Sequence, residues 1–294
     1  MVACLAAGAA FAQEKDLDTP YVQTPQNVVD KMLEIAKVRS DDYVIDLGSG
    51  DGRMVITAAR KYGARGFGVD LDQRLVKLSN AHAAKAGVAK RAVFYARDLF
   101  DTDVSPATVL TLYLLPDVNL AIRARLLATL KPGTRIVSHD YDMGEWPPDF
   151  QMELAAPGKT VGVGQRSKIF YWMVPGRASG RWRWSLPVGG RGEEFELALK
   201  QNFQKLEGTL GIAGRAARLE DAALEGERIR FAAATGEGAS RTRYEFTGRI
   251  INHAIEGTAR VTRGGQATEL AWSAARVEIW EPRHVGLLAP GAAR

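Results

Sequence analysis

The chain has 294 residues, 46% of them hydrophobic and 25% charged. That gives room for about two domains of roughly 150 residues with real cores, and it excludes a disordered tail, a collagen or a small disulfide-stapled module. One cysteine, Cys4, permits no intrachain disulfide, and four histidines spread over positions 82, 139, 253 and 284 give no metal-ligand spacing; the net charge of +5 mildly favours anionic partners but, without a basic run, does not point to nucleic acid.

Residues 2–12 are uncharged and alanine-rich, end in Ala10-Phe11-Ala12, and precede the first charges at Glu14, Lys15 and Asp16. They read as the apolar part and cleavage site of a secretory signal that lacks its basic start. Residues 1–12 are therefore expected to be a leader, with the protein periplasmic or exported if the leader is real and cytoplasmic otherwise. No later run of 18 apolar residues reads as a membrane span.

From Pro20 to about Pro175 strands alternate with helices. Thr24-Pro25 reads as a helix cap and first-turn pair, followed by Val28, Val29, Met32, Leu33 and Ala36 at helical spacing. A strand over 43–47 runs through a glycine-rich turn into a helix reaching Arg60. A second strand is expected over 66–71, a helix over 73–86, a third strand over 92–97 and a fourth over 108–114. Leu120, Ile122, Leu126, Leu127 and Leu130 mark another helix, and Pro132-Gly133 separates it from a strand over 135–138. Residues 169–174 are expected to form an antiparallel edge strand. Such alternation predicts a mostly parallel sheet with helices on both faces.

After Pro175-Gly176 the texture changes to period-two stretches bounded by glycine, at 181–187, 194–200, 204–210, 228–234, 243–251, 255–262 and 269–280. These predict an antiparallel all-β barrel or sandwich over 176–285, with 286–294 as a flexible tail. Trp182, Trp184, Trp272 and Trp280 read mainly as packing, with cavity lining as the second reading. Residues 1–175 carry 21 basic against 20 acidic side chains, and 176–294 carry 18 against 14. The β region is thus the more basic one, compatible with an anionic or envelope partner.

The most informative stretch is Val44-Ile45-Asp46-Leu47-Gly48-Ser49-Gly50-Asp51-Gly52-Arg53. Gly48 and Gly50 let the chain turn sharply and bring backbone against a ligand, and Gly52 starts the next helix. A dinucleotide fingerprint would need its third glycine at Arg53, and no Gly-Lys-Ser or Gly-Lys-Thr closes a triphosphate loop. Asp46 and Asp51 would also repel a pyrophosphate, by about 4 kcal/mol per charge pair at ~4 Å and an effective dielectric constant near ~20. Asp70, at the end of the second strand, is placed to accept both hydroxyls of a ribose, and Asp98 closes the third strand. Three carboxylates at one sheet edge fit a nucleoside that carries positive charge. Their plainer reading is as helix caps and solvated loop ends.

On Asp46-x-Gly48-x-Gly50-x-Gly52, Asp70 and Asp98-Leu99 the chain resembles the class I S-adenosylmethionine-dependent methyltransferases. On Pro20-Tyr21, Thr24-Pro25, Gly68-Val-Asp-Leu71, Leu75-Val76 and Asp98-Leu99-Phe100 it looks like the small seven-strand protein-lysine methyltransferases. That group includes enzymes of the ATP synthase c-subunit and the mitochondrial adenine nucleotide carrier. The likeness covers about residues 20–145 and has no counterpart to the C-terminal strands. It implies a Rossmann-like methyltransferase domain over 13–175 and S-adenosylmethionine as cofactor. Asp46 would hold the methionine ammonium, Gly48, Ser49, Gly50 and Gly52 would line the methionine part, Asp70 would take the ribose hydroxyls, and Leu71 would also bind the cofactor. Asp98 and the Leu99 backbone would read the adenine edge, with Tyr21 and Thr24 lying over the cofactor.

Acceptor handling is expected from Tyr113, Asp140, Tyr141 and Trp146, after the fourth and fifth strands, since aromatic faces guide amines by cation–π contact. His139 is either a proton acceptor or a residue turned into the helix layer. Arg53 meets either a neighbouring carboxylate or the carboxylate of the cofactor. The expected reaction is methyl transfer to an amino nitrogen, foremost a protein lysine, with no metal and no nucleic acid involved. A small-molecule amine acceptor and a non-catalytic binding protein that keeps the crevice are the alternatives.

Overall fold

The computed structural model describes residues 21–162 and 164–286. The expected leader lies outside the described residues, as does all of the expected tail except Gly286. The first part of the chain runs α1 (Gln26–Ile35), β1 (Tyr43–Leu47), α2 (Arg53–Thr57), β2 (Arg65–Asp70), α3 (Gln73–Lys85), β3 (Ala92–Ala96), β4 (Val109–Leu112), α4 (Pro116–Thr129), β5 (Arg135–His139), β6 (Phe150–Ala155) and β7 (Arg166–Met173). These strands form one sheet in the order β3-β2-β1-β4-β5-β7-β6, parallel through β5 and antiparallel at β7 and β6. Helices cover both faces, so β1 and β4 are buried nearly throughout and read as continuous apolar runs rather than alternating ones.

The strand order reverses between β1 and β4. Loops leaving the carboxyl ends at such a switch point diverge to opposite faces of the sheet, which is where open α/β sheets place their ligand crevice. The glycine turn follows β1 and Tyr113 follows β4, so both stand at that crevice.

Three sequence expectations change. The strand expected at the sheet edge, observed as β7, lies between β5 and β6; the edge is β6, whose mostly exposed side chains and preceding Pro147-Pro148 hide its pattern. Thr24 does not cap α1. Pro25 occupies the cap position without a side-chain bond, and the Thr24 hydroxyl turns instead to His139. The helix after the glycine turn continues past Thr57 as a π-type turn over Ala58–Tyr62 and ends at Gly63. Helix α1 buries Val28, Val29, Met32 and Leu33 against β5 and β7, each worth roughly 1.5–3 kcal/mol of transfer free energy.

The second part runs β8 (Gly180–Val188), β9 (Arg191–Asn202), β10 (Lys205–Ile212), β11 (Arg215–Arg218), β12 (Glu220–Glu225), β13 (Arg228–Thr235), β14 (Thr242–Ile251), β15 (Ala254–Arg263), β16 (Gln266–Ile279) and α5 (Arg283–Gly286). Its nine strands form one antiparallel sheet in the order β11-β10-β9-β8-β16-β15-β14-β13-β12. Only Leu219 separates the two edge strands, and β10 touches β12, so the sheet curls into a near-barrel.

Alternation fills the interior. Trp182, Trp184 and Leu186 point inward from β8, and Trp184 packs on Phe195 (5.3 Å), Phe246 (5.2 Å) and Trp272 (5.0 Å). These rings occupy the space a ligand cavity would need, which removes the cavity reading for Trp182, Trp184 and Trp272. Trp280 is half-buried near the Arg181 guanidinium, 5.6 Å from its ring centre.

The two sheets meet at Phe203, between β9 and β10. Its ring stacks 5.9 Å from Trp146 on one side and 4.6 Å from His284 on the other. Trp146 Nε1–H donates to Gln204 Oε1 (3.1 Å), and its carbonyl accepts from Trp172 Nε1–H (3.0 Å). Trp146 is fully buried, so it is a packing residue of this junction rather than part of an acceptor pocket.

Candidate functional site

The Gly48 and Ser49 amides both donate to the Val69 carbonyl at 2.9 Å, which ties the turn after β1 to β2. Gly50 (φ +52°) and Gly52 (φ +82°) then adopt left-handed backbone that other residues rarely take. Space adds a second constraint. A Cβ at Gly50 would stand 2.5 Å from the Tyr21 ring, and one at Gly52 would stand 2.6 Å from Phe94. Tyr21 thus lies against the turn, as expected of a segment covering it. Ser49, in the same turn, is buried, and its Oγ has no hydrogen-bond partner among the described residues.

Asp46 is 6% exposed, and its one side-chain partner among the described residues is the Thr111 hydroxyl, which donates to Oδ1 at 2.6 Å. The β1–β4 register sets this pair directly opposite one another. Burial pushes the Asp46 pKa up to about 7 against the lowering effect of Thr111, and the charges of Asp70 and Asp51 raise it further. A carboxylate in that position is a poor neighbour for phosphate and a good one for a cation.

Asp70 is not the cap of α3; that role falls to Asp72, which accepts the Arg74 amide. Instead Asp70 Oδ2 accepts the Gly50 amide (2.9 Å) and Oδ1 the Asp72 amide (3.0 Å), which orients the carboxylate and leaves a lone pair on each oxygen. Asp98 does act as a cap. Its Oδ1 accepts the Phe100 amide (2.8 Å) at the 3-10 turn Leu99–Asp101, while Oδ2 has no hydrogen bond among the described residues. Leu71 stands exposed after β2 and Leu99 half-buried after β3, giving the rim apolar surface.

Arg53 resolves in favour of the neighbouring carboxylate. Its Nε and Nη2 reach Asp51 at 2.9 and 2.6 Å, and Nη1 donates to the Thr24 carbonyl at 2.6 Å. Burial alone would raise the Asp51 pKa, but the Arg53 guanidinium outweighs it and holds that carboxyl below its ordinary value. Arg53 therefore clasps the N-terminal segment to the turn.

Across the crevice, the Tyr113 hydroxyl donates to Asp140 Oδ2 at 3.4 Å, and its ring lies 3.9 Å from the His139 ring and 6.4 Å from Tyr141. Burial, reinforced by the Asp140 charge, raises the Tyr113 pKa, so the phenol stays protonated. Leu114, next in the chain, reaches back to Gly48 so closely that a Cβ there would stand 2.8 Å from its Cδ2. The structure thus joins Tyr113, Asp140 and Tyr141 in one cluster next to the glycine turn. His139 is unavailable as a proton acceptor: it is fully buried, its Nδ1 is paired with Thr24 Oγ1 (3.1 Å) and its Nε2 with Ser167 Oγ (2.7 Å). Burial pushes its pKa down to about 4, so it remains neutral at pH 7.

Three residues at the site escaped the sequence reading. Thr111 left a trace, a hydroxyl inside the apolar strand Val-Leu-Thr-Leu. Ser167 and Lys159 left none, because their partners, His139 and Asp140, are distant in sequence; Lys159 Nζ stands 2.6 Å from Asp140 Oδ2.

Comparison with known proteins matches residues 46–150 to the family model of the ANTKMT methyltransferase domain. A protein-lysine N-methyltransferase of Saccharolobus islandicus (strain REY15A) is 45% identical over 130 residues, 44% of this chain and 81% of that protein. The adenine nucleotide translocase lysine N-methyltransferase of Mus musculus is 32% identical over 133 residues, 45% of this chain and 57% of that protein. The crystal structure of an RNA methyltransferase from Salinibacter ruber, in complex with S-adenosyl-L-homocysteine, is 49% identical and covers 52% of this chain and 94% of that one, with a TM-score of 0.48. The chain thus spans about four fifths of the archaeal relative but little more than half of the mouse one.

Proposed function

Because this chain belongs to the class I S-adenosylmethionine-dependent methyltransferases related to the protein-lysine N-methyltransferases, we propose that its acceptor is the ε-amino nitrogen of a protein lysine. The observation that carries this reading is the 45% identity to the archaeal protein-lysine N-methyltransferase across most of that protein's length.

The crevice fits the cofactor on its own chemistry. Among the described residues the buried Asp46 lacks a cation and the Ser49 hydroxyl lacks a partner, and a glycine turn lies where side chains would collide. S-adenosylmethionine supplies a methyl group on a sulfonium already activated for in-line attack, so alignment and exclusion of water are left to the protein. Asp46 would take the methionine ammonium and the Ser49 hydroxyl a polar atom of the same part. The free lone pairs of Asp70 would take the ribose hydroxyls, each charge-assisted bond being worth about 1.5–3 kcal/mol. Asp98 Oδ2 and the Leu99 backbone would meet the adenine edge, and Tyr21 would shield the turn from water.

On the acceptor side, the Tyr113 and Tyr141 faces would guide the amine, at about 0.5–2 kcal/mol for a cation–π contact. The lysine must be neutral to attack, which from a reference pKa near ~10.4 costs about 4–5 kcal/mol at pH 7. With His139 already bonded at both nitrogens, desolvation rather than a dedicated base is the source of that neutral amine. The surplus of basic over acidic side chains in 176–294 supports an anionic docking partner for the β region.

The test is incubation with methyl-labelled S-adenosylmethionine and a cell extract, followed by acid hydrolysis of the protein fraction. Label recovered as methyl-lysine is the expected result. Label confined to small molecules, or none at all, rejects the lysine acceptor.

A further inference from the structure

Lys159 lies in the loop between β6 and β7, and its side chain is only 6% exposed, although a lysine ordinarily keeps its ammonium in water. Two acceptors compensate it. Nζ stands 2.6 Å from Asp140 Oδ2 and donates to the Arg166 carbonyl at 2.6 Å. The same Asp140 oxygen accepts the Tyr113 hydroxyl, and Tyr141 stacks on Tyr113.

Asp140 and the Arg166 carbonyl hold the ammonium, and Tyr113, with Tyr141 stacked on it, shares the Asp140 oxygen; carboxylates, carbonyls and neighbouring aromatic rings are the groups that recognise the head of a lysine. Asp140 is itself held in place. It adopts left-handed backbone (φ +63°), and the Lys168 amide donates to its Oδ1 at 3.0 Å, which aims Oδ2 at the cluster. Tyr113 follows β4 while Asp140 and Tyr141 follow β5, and Leu114, next to Tyr113, packs against Gly48 of the turn after β1, which brings the cluster to the side of the cofactor turn.

On the reading that the acceptor is a lysine, we propose that Asp140, Tyr113, Tyr141 and the Arg166 carbonyl form the acceptor's ammonium subsite. Lys159 is its internal occupant, which an incoming lysine displaces. The chain carries a copy of the group it recognises, held in place until a better-placed one arrives. Affinity for the substrate is lowered by the fraction of time the subsite is filled from within.

The test uses n-butylammonium, a lysine side chain without its backbone, titrated into the full chain with and without S-adenosylhomocysteine and followed by NMR shifts. Lys159→Ala should bind it about tenfold or more tightly than the wild type, as expected on removing an occupant present about nine-tenths of the time. Lys159→Met, which keeps the apolar stem, should behave alike and covers the case in which the alanine variant does not fold. Adding Asp140→Asn to either should cancel the gain. Equal butylammonium affinity in the wild type and a folded Lys159 variant overturns the proposal, as does a gain that survives Asp140→Asn. The two readings fail separately. Absence of methyl-lysine from labelled extract counts against the lysine acceptor, whereas unchanged butylammonium affinity counts against the internal occupant alone.

Discussion

The crevice and the barrel are built on opposite terms. In the barrel, side chains alternate cleanly, aromatic rings fill the interior, and the ion pairs are on the outer face, as in Arg183 with Glu196 and Arg249 with Glu227. In the crevice, among the described residues, a buried carboxylate is short of a cation, a buried serine hydroxyl has no partner, and three left-handed glycines, Gly48, Gly50 and Gly52, hold a turn with no room for a side chain. The first region gains stability from every contact; the second keeps unsatisfied groups where a charged ligand can satisfy them. An orphaned polar atom does not alone mark a site. Trp184 Nε1 also lacks a partner among the described residues, yet its ring is packed among Phe195, Phe246 and Trp272. What sets the crevice apart is the coincidence of an orphan, a desolvated charge and a constrained turn.

The sharpest way to separate the two regions is to damage one alone. Trp184→Ala should cost about 3–5 kcal/mol of barrel stability in denaturant unfolding while leaving S-adenosylhomocysteine affinity within about twofold, because distant sites act independently. Loss of cofactor binding in a folded sample would show that the regions are coupled. Gly50→Val works in the other direction. Left-handed strain of about 1–2 kcal/mol plus a clash with Tyr21 of about 1–3 kcal/mol should weaken cofactor binding roughly 30-fold or more, measured by calorimetry. Asp70→Ala removes both the ribose acceptor and the brace on the Gly50 amide, and is expected to cost about 1.5–3 kcal/mol of cofactor affinity with the barrel unchanged.

Acidity distinguishes the regions more finely. The Asp46 pKa is raised in the folded chain, to about 7, so its contribution to the stability of the cofactor-free protein is fully present below the unfolded value and is lost as pH rises through about 7. Binding a cation requires the ionised form. Cofactor affinity should therefore fall as pH drops below 7, approaching about tenfold per unit, and Asp46→Asn should flatten that slope. A slope that persists in Asp46→Asn would assign the titration elsewhere. The smallest effect expected is from Tyr113→Phe, which keeps the ring and loses the hydroxyl on Asp140. Turnover should drop several-fold, on the order of 0.5–1.5 kcal/mol for one hydrogen bond, with cofactor affinity unchanged.

Much of this division was legible in the sequence. The glycine turn and the carboxylates at strand ends stand where one-dimensional pattern puts them, because strand, turn and helix start follow each other within ten residues. The barrel's inward tryptophans follow from period two. What stayed hidden depends on strands distant in sequence. The support of Asp46 by Thr111, the bracing of His139 by Thr24 and Ser167, and the seating of Lys159 on Asp140 are all matters of register or loop path. Trp146 misled for a related reason: its position after β5 resembled an acceptor site until Phe203, 57 residues later, was seen to stack on it.

Calorimetric titration of the purified full chain with S-adenosylmethionine, with ATP as the competitor, tests the central claim most directly. One site per chain that ATP does not displace, and that weakens on replacing Asp46 with asparagine, is the predicted outcome. A folded chain that binds ATP in this crevice and gives no heat with S-adenosylmethionine would contradict the account.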